Sequence, residues 1–192
     1  MIGNRVSGKP YSLNLSKLSP VLINGKSHLV LTILSGLTNK FSPEDLKLCL
    51  IDPETSCYEN SPYLMAPVAK VANDILALLT LIDHEMRERY YAFSLYGAKN
   101  FEDYRKKGHP KLPYILVVFD DFNRISPAHR RMLDSEIIFL SRMLKAAGMY
   151  LILITSGKSD PMAQFMNTLI TLLNKGEAEV KFSKKRDVIT VA

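Results

Sequence analysis

Three runs in this chain are apolar at nearly every position: Leu46–Asp52, Tyr114–Asp120 and Tyr150–Thr155. A strand that is hydrophobic on both of its alternating faces has to be covered from both sides, which is the condition of a parallel sheet between helical layers. Shorter β-rich runs occur at Tyr11–Leu15 and Val21–Ile23, and weaker ones at Glu179–Phe182 and Val188–Val191. Helical patterns lie between the strands. Ser27–Thr38 is largely apolar, and Asn73–Tyr96 carries Ile75, Leu78, Leu79, Ile82 and Met86 at three- and four-residue spacing. Pro127–Ala147 opens on Ser126-Pro127, an N-cap followed by proline in the first turn, and Gly148 stands where a C-cap belongs. Asp160-Pro161 repeats the start signal and predicts a further helix over Met162–Leu173. Strand and helix in alternation predict an α/β fold, a mostly parallel sheet with helices on both faces.

At 192 residues the chain supports a single domain, 1–192, and reads as a fragment or truncated form of something larger. Hydrophobic residues at 47% and charged residues at 23% exclude a disordered or collagen-like chain. No apolar run is long enough for a transmembrane helix and the N-terminus lacks a signal-peptide core, so the expected location is cytoplasmic. Two cysteines make no disulfide framework; Cys49 reads as a reduced core residue and Cys57 as a loop residue. Scattered histidines and the lack of a paired-cysteine motif argue against zinc. The net charge of +6 suits an anionic partner without naming one.

Two places could carry phosphate chemistry. Gly25-Lys26-Ser27 follows the strand Val21–Ile23 and opens a helix. In a phosphate-binding loop, backbone N–H groups cradle the phosphates, the lysine reaches the outer ones and the hydroxyl ligates Mg²⁺. The full pattern needs a glycine five residues before Gly25, and Pro20 stands there; only Asn24 separates the strand from Gly25. The second place is Asp120-Asp121, at the end of an apolar strand. One acid there would serve Mg²⁺ and the other would orient an attacking water. Ser156, after the strand Tyr150–Thr155, is a polar group that could sense a phosphate at the same edge. Order and position match a RecA-like P-loop NTPase.

The match extends along nearly the whole chain. Ser7-Gly-Lys-Pro-Tyr-Ser-Leu-Asn-Leu-Ser-Lys-Leu18, Phe41-Ser-Pro-Glu-Asp-Leu-Lys-Leu-Cys-Leu-Ile-Asp-Pro53, Glu85-Met-Arg-Glu-Arg-Tyr90, Gly97-Ala-Lys-Asn-Phe-Glu-Asp-Tyr104, Leu112-Pro-Tyr-Ile-Leu-Val-Val-Phe-Asp-Asp-Phe122 and Leu144-Lys-Ala-Ala-Gly-Met-Tyr-Leu-Ile-Leu-Ile-Thr155 follow one another in order. Together they resemble the motor domain of the FtsK/SpoIIIE DNA translocases. The resemblance implies ATP and Mg²⁺ as cofactors and double-stranded DNA, held without sequence preference, as partner. It also implies assembly as a homo-oligomeric ring or as tandem ATPase domains of a larger chain. By resemblance Gly25, Lys26, Ser27, Asp120 and Ser156 would bind nucleotide, Ser27 and Asp120 would hold the metal, and Lys26 and Asp121 would act in catalysis.

The departures from the family sit at that same site. Half of the glycine-rich loop is missing. Asp121 replaces the usual glutamate, Glu54 follows Ile-Asp-Pro where lysine is common, and Thr155-Ser156-Gly157-Lys158 replaces Thr-Gln-Arg-Pro. The family's usual C-terminal winged-helix DNA reader is not expected within these 192 residues. The alternative implied is a degenerate, non-hydrolysing ATPase domain, an interaction or regulatory module of a type VII secretion or conjugation coupling ATPase. Other features read as structural. Lys181–Arg186 is a solvated hairpin turn, His84 a surface residue, and Arg87 and Arg89 a solvated helix face. Met162, Met166 and Leu169 fill the core, and Tyr90, Tyr91 and Tyr96 pack the helix that covers the sheet.

Overall fold

A computed structural model describes residues 3–5, 10–11, 14, 17, 19–25, 28–51, 58–122, 125–156, 160–173, 177–183 and 185–191. Lys26, Ser27, Asp52, Pro53, Glu54, Cys57, Gly157, Lys158 and Lys184 lie outside them. The strands are β1 Gly3–Arg5, β2 Pro10–Tyr11, β3 Val21–Asn24, β4 Leu46–Ile51, β5 Tyr114–Phe119, β6 Met149–Thr155, β7 Thr168–Leu172, β8 Glu177–Phe182 and β9 Lys185–Val191. The helices are α1 His28–Thr38, α2 Ala72–Leu95, α3 Phe101–Lys106 and α4 Pro127–Met143. One sheet runs in the order β2-β1-β9-β8-β7-β3-β6-β5-β4. Its β7-β3-β6-β5-β4 half is parallel, as expected for β3 to β6, and the β8 and β9 hairpin continues it antiparallel.

The parity of each strand sorts its side chains into two layers. Leu116, Val118, Ile152, Ile154, Leu48 and Leu50 meet Leu29, Val30, Ile33 and Leu34 of α1 on one face. Ile115, Val117, Phe119, Leu151, Leu153 and Cys49 meet the stripes of α2 and α4 on the other. Every residue of β6 is buried, which is why that run carries no polar alternation. Ser126 caps α4, accepting from the His129 N–H, with Pro127 in its first turn. The helix tightens into a 3₁₀ turn over Leu144–Ala147 and stops at Gly148, where φ is 75°. Gly148 has no alternative: a Cβ there would stand 2.3 Å from the Phe101 ring.

Three sequence expectations are corrected. The helix over Met162–Leu173 is a 3₁₀ turn, Pro161–Phe165, followed by strand β7, which pairs parallel to β3. Asp160 does cap that turn, accepting from the Met162 N–H, but Thr-Leu-Ile-Thr-Leu, rich in β-branched residues, pairs along the open edge of β3 instead of continuing as a helix. Met162 is buried in the core as expected, with Leu169 and Met166 packed against it, though not at helical spacing. Arg89 is not on a solvated face. It is 1% exposed, in line with the buried stripe of Ile82, Met86 and Phe93. Tyr91 is 62% exposed and departs from that expectation, whereas Tyr90 packs against the core and Tyr96, though 46% exposed, sets its ring edge-on to the buried Tyr104 ring 5.7 Å away.

Candidate functional site

The strand register fixes what meets at the carboxyl edge of the parallel half. Ile51 pairs with Phe119, Phe119 with Leu153, and Asn24 with both Thr155 and Thr171. Gly25, Asp120, Asp121 and Ser156 are the next residues along three adjacent strands, so they gather at one edge. Lys26 and Ser27 follow Gly25 in the chain and lie outside the described residues.

Asp120 extends the β4–β5 ladder through its N–H, which donates to the Ile51 carbonyl at 2.7 Å, and the residue is 6% exposed. It helps line a cavity of about 160 Å³ between the first turns of α2 and α4, with Ile51, Ile75, Leu133, Ser126 and His129. Asp121 turns out of the strand at a φ of 46°, a left-handed conformation that aspartate tolerates better than most residues. Its carboxylate accepts a hydrogen bond from the Ser156 hydroxyl at 3.1 Å. The second acid and the polar strand end therefore come together.

The phosphate half is built differently. Strand β3 ends at Asn24 and α1 begins at His28, so three residues make the whole connection. The Gly25 N–H, the first donor such a loop would offer, donates to the Thr155 carbonyl at 2.9 Å. The Thr155 hydroxyl donates to Asn24 Oδ1 at 2.7 Å, with Thr155 and Asn24 0% and 5% exposed. Gly25 has a φ of 150° and backs onto β7: a Cβ there would lie 2.5 Å from Leu172 Cδ1. This glycine answers a packing demand. A buried acid at a strand end suits a divalent cation, while among the described residues the one loop N–H, that of Gly25, is already bonded to Thr155 and is not free to cradle a phosphate. Sequence reasoning takes Asn24 as a mere spacer and misses its bond to Thr155. The one available signal is a polar residue ending each of two apolar strands. Among the described residues no group of three or more His, Cys, Asp or Glu could hold a metal ion, and no helix is long and apolar enough to cross a membrane.

The family model for FtsK/SpoIIIE matches residues 2–111, more than half of the chain. The chain belongs to the FtsK/SpoIIIE family. It is 32% identical to the DNA translocase FtsK of Clostridium tetani over 171 residues, 82% of this chain and 23% of that protein. It thus spans about a quarter of that relative's length. Among solved structures, the cytoplasmic domain of the Thermomonospora curvata type VII secretion ATPase EccC superposes with a TM-score of 0.80 at 18% identity, covering 100% of this chain and 28% of that one. The pCW3 conjugation coupling protein TcpA, solved in a monomer form with ATPγS, gives 0.74 at 16% identity over 100% of this chain and 65% of that one. These likenesses establish the RecA-like α/β fold. FtsK/SpoIIIE membership and the order of segments expected from the sequence agree.

Proposed function

We propose that this chain is a DNA-translocase-type motor domain of the FtsK/SpoIIIE family that engages duplex DNA without sequence preference and has lost rapid ATP turnover. The observation that carries the reading is the contrast between an intact parallel sheet and a β3–α1 connection of three residues whose first N–H is already bonded to Thr155. Phosphoryl transfer is mainly positioning and electrostatic stabilisation. A shortened loop and an acid one methylene shorter than the usual glutamate both weaken positioning. ATP and Mg²⁺ are the ligands the family would bring to this edge, with Ser27 and Asp120 toward the metal and Gly25, Lys26 and Ser156 toward the phosphates.

Support for DNA comes from the relatives and from the β8–β9 hairpin. Lys181 stands opposite Arg186, Lys185 is exposed, and Arg186 reaches Glu179 while its side chain stays 67% exposed. In this reading the domain works on the cytoplasmic side, in a ring of its own kind or in a tandem array of ATPase domains. A salt titration of duplex binding tests it. A single copy offers few phosphate contacts, so the dissociation constant falls in roughly the 10⁻⁴ to 10⁻⁶ M range, and the logarithm of the association constant falls with that of the salt concentration at a slope near −0.9 per phosphate contacted. Changing Lys184, Lys185 and Arg186 together to glutamate weakens binding and flattens that slope. An unchanged slope would move the DNA surface away from the hairpin.

A second reading, a non-hydrolysing interaction module of a secretion or coupling ATPase, is favoured by one feature. Leu76, Tyr91 and Leu95 of α2 and Met132, Phe139 and Met143 of α4 leave the outer helical layer rich in exposed apolar side chains. Complete absence of duplex binding at low salt would support this module in place of the DNA reading.

A further inference from the structure

We infer that the edge joining β3, β6 and β7 is a structural lock made by this chain's own groups at the place where a phosphate cradle would lie, so that the fold closes without nucleotide. The inference rests on the reading that the phosphate half of the site does not fit a triphosphate, and it says what has taken its place. Three contacts make the lock. The Gly25 N–H is held by the Thr155 carbonyl. The buried Thr155 hydroxyl and the buried Asn24 side-chain oxygen satisfy each other across the β3–β6 boundary. On the other side, the Leu172 side chain of β7 fills the space that a Cβ on Gly25 would need.

A buried polar pair of this kind is costly to break from one side, because the surviving partner is left without its hydrogen bond in a place water does not reach. The lock also ties β3 to two strands far along the chain, β6 and β7, since Asn24 pairs with Thr155 and with Thr171 in the same register. An open phosphate loop leaves its N–H groups free and is completed by an anion at the helix N-terminus. Here the first of those donors is already bonded, and the glycine serves the approach of β7. The domain should therefore be as stable empty as it is in the presence of ATP–Mg²⁺.

Thermal unfolding of the whole chain tests this, with duplex binding measured separately so that loss of the DNA reading leaves these melting points untouched. For the native sequence, 1 mM ATP–Mg²⁺ shifts the midpoint by less than about 2 °C. Thr155→Val lowers the midpoint by about 3 °C or more, whereas Thr155→Ser, which keeps the hydroxyl, stays near the native value. Asn24→Ala lowers it as well, and the Asn24→Ala/Thr155→Val double change falls by less than the sum of the two single shifts because both remove the same bond. A nucleotide-induced rise of more than about 2 °C would overturn the lock. So would a Thr155→Val midpoint equal to that of Thr155→Ser.

Discussion

The guanidinium of Arg89 donates a hydrogen bond from Nη1 to the Ala147 carbonyl at 3.0 Å, joining the C-terminal third of α2 to the 3₁₀ turn before β6. Its Nε donates to Glu85 Oε1 at 2.8 Å, and the Phe101 ring lies 5.5 Å from its charge centre. Burial pulls the guanidinium below its ordinary range while the Glu85 carboxylate opposes that shift. An arginine in a core stripe is held by such partners, and removing it leaves a carbonyl unpaired and a cavity beside the sheet. Arg89→Ala therefore lowers unfolding stability by about 3 kcal/mol, read from urea melts. Arg87→Ala, two residues away, removes only an exposed ion pair to Asp83 and leaves the midpoint in place.

Cys49 gives the second prediction. Its Sγ lies 3.8 Å from Met65 Sδ, and burial, helped by the nearby Glu85 charge, pushes the thiol up to about 12 from an ordinary 9.0. In a Cys57→Ser background the folded protein takes up no iodoacetamide at pH 8, and one equivalent reacts after denaturation. Linkage sets the sign of the pH effect. The folded thiol keeps its proton where the unfolded one loses it, so its contribution is full below pH 9 and is lost as pH rises from 9 toward about 12. Burial raises the Tyr104 and Tyr150 hydroxyls as well, which steepens the same alkaline loss. A stability curve flat through that window would contradict this.

Two glycines should answer oppositely to alanine. Gly148 has a left-handed backbone and the Phe101 ring against it, so Gly148→Ala costs about 2 kcal/mol or more. Gly36 sits within α1, and a Cβ there would meet nothing within 4 Å, so Gly36→Ala gains about 0.5–1 kcal/mol from helix propensity. Urea midpoints of the two variants check both signs.

The parallel half of the sheet is legible because its runs are apolar on both faces, a pattern few other environments require. The caps of α4 are legible for a similarly local reason: Ser126-Pro127 and Gly148 act through their own backbone geometry. Strand β7 is hidden because Asp160-Pro161 is a genuine start signal that a 3₁₀ turn satisfies as well as a helix does. What settles Thr168–Leu172 is the vacant edge of β3, a contact across roughly 145 residues of chain that no local window contains. Arg89 misleads for the converse reason. Its spacing places it on the buried stripe, but its charge argues for solvent more loudly than its position argues for the core. At the site, the meeting of Asp121 with Ser156 follows from strand order. The Asn24–Thr155 bond and the contact of Gly25 with Leu172 do not, because they depend on register and on a strand that reads as helix.

Calorimetric titration of the whole chain with ATP–Mg²⁺ tests most directly whether an FtsK/SpoIIIE fold here stands without its phosphate cradle. With the Gly25 N–H committed to Thr155, the dissociation constant is millimolar or weaker, corresponding to a binding free energy no more favourable than about −4 kcal/mol. Micromolar binding, at about −8 kcal/mol, would mean that the β3–α1 connection opens to hold the phosphates, and would restore the chain as an ATP-driven motor.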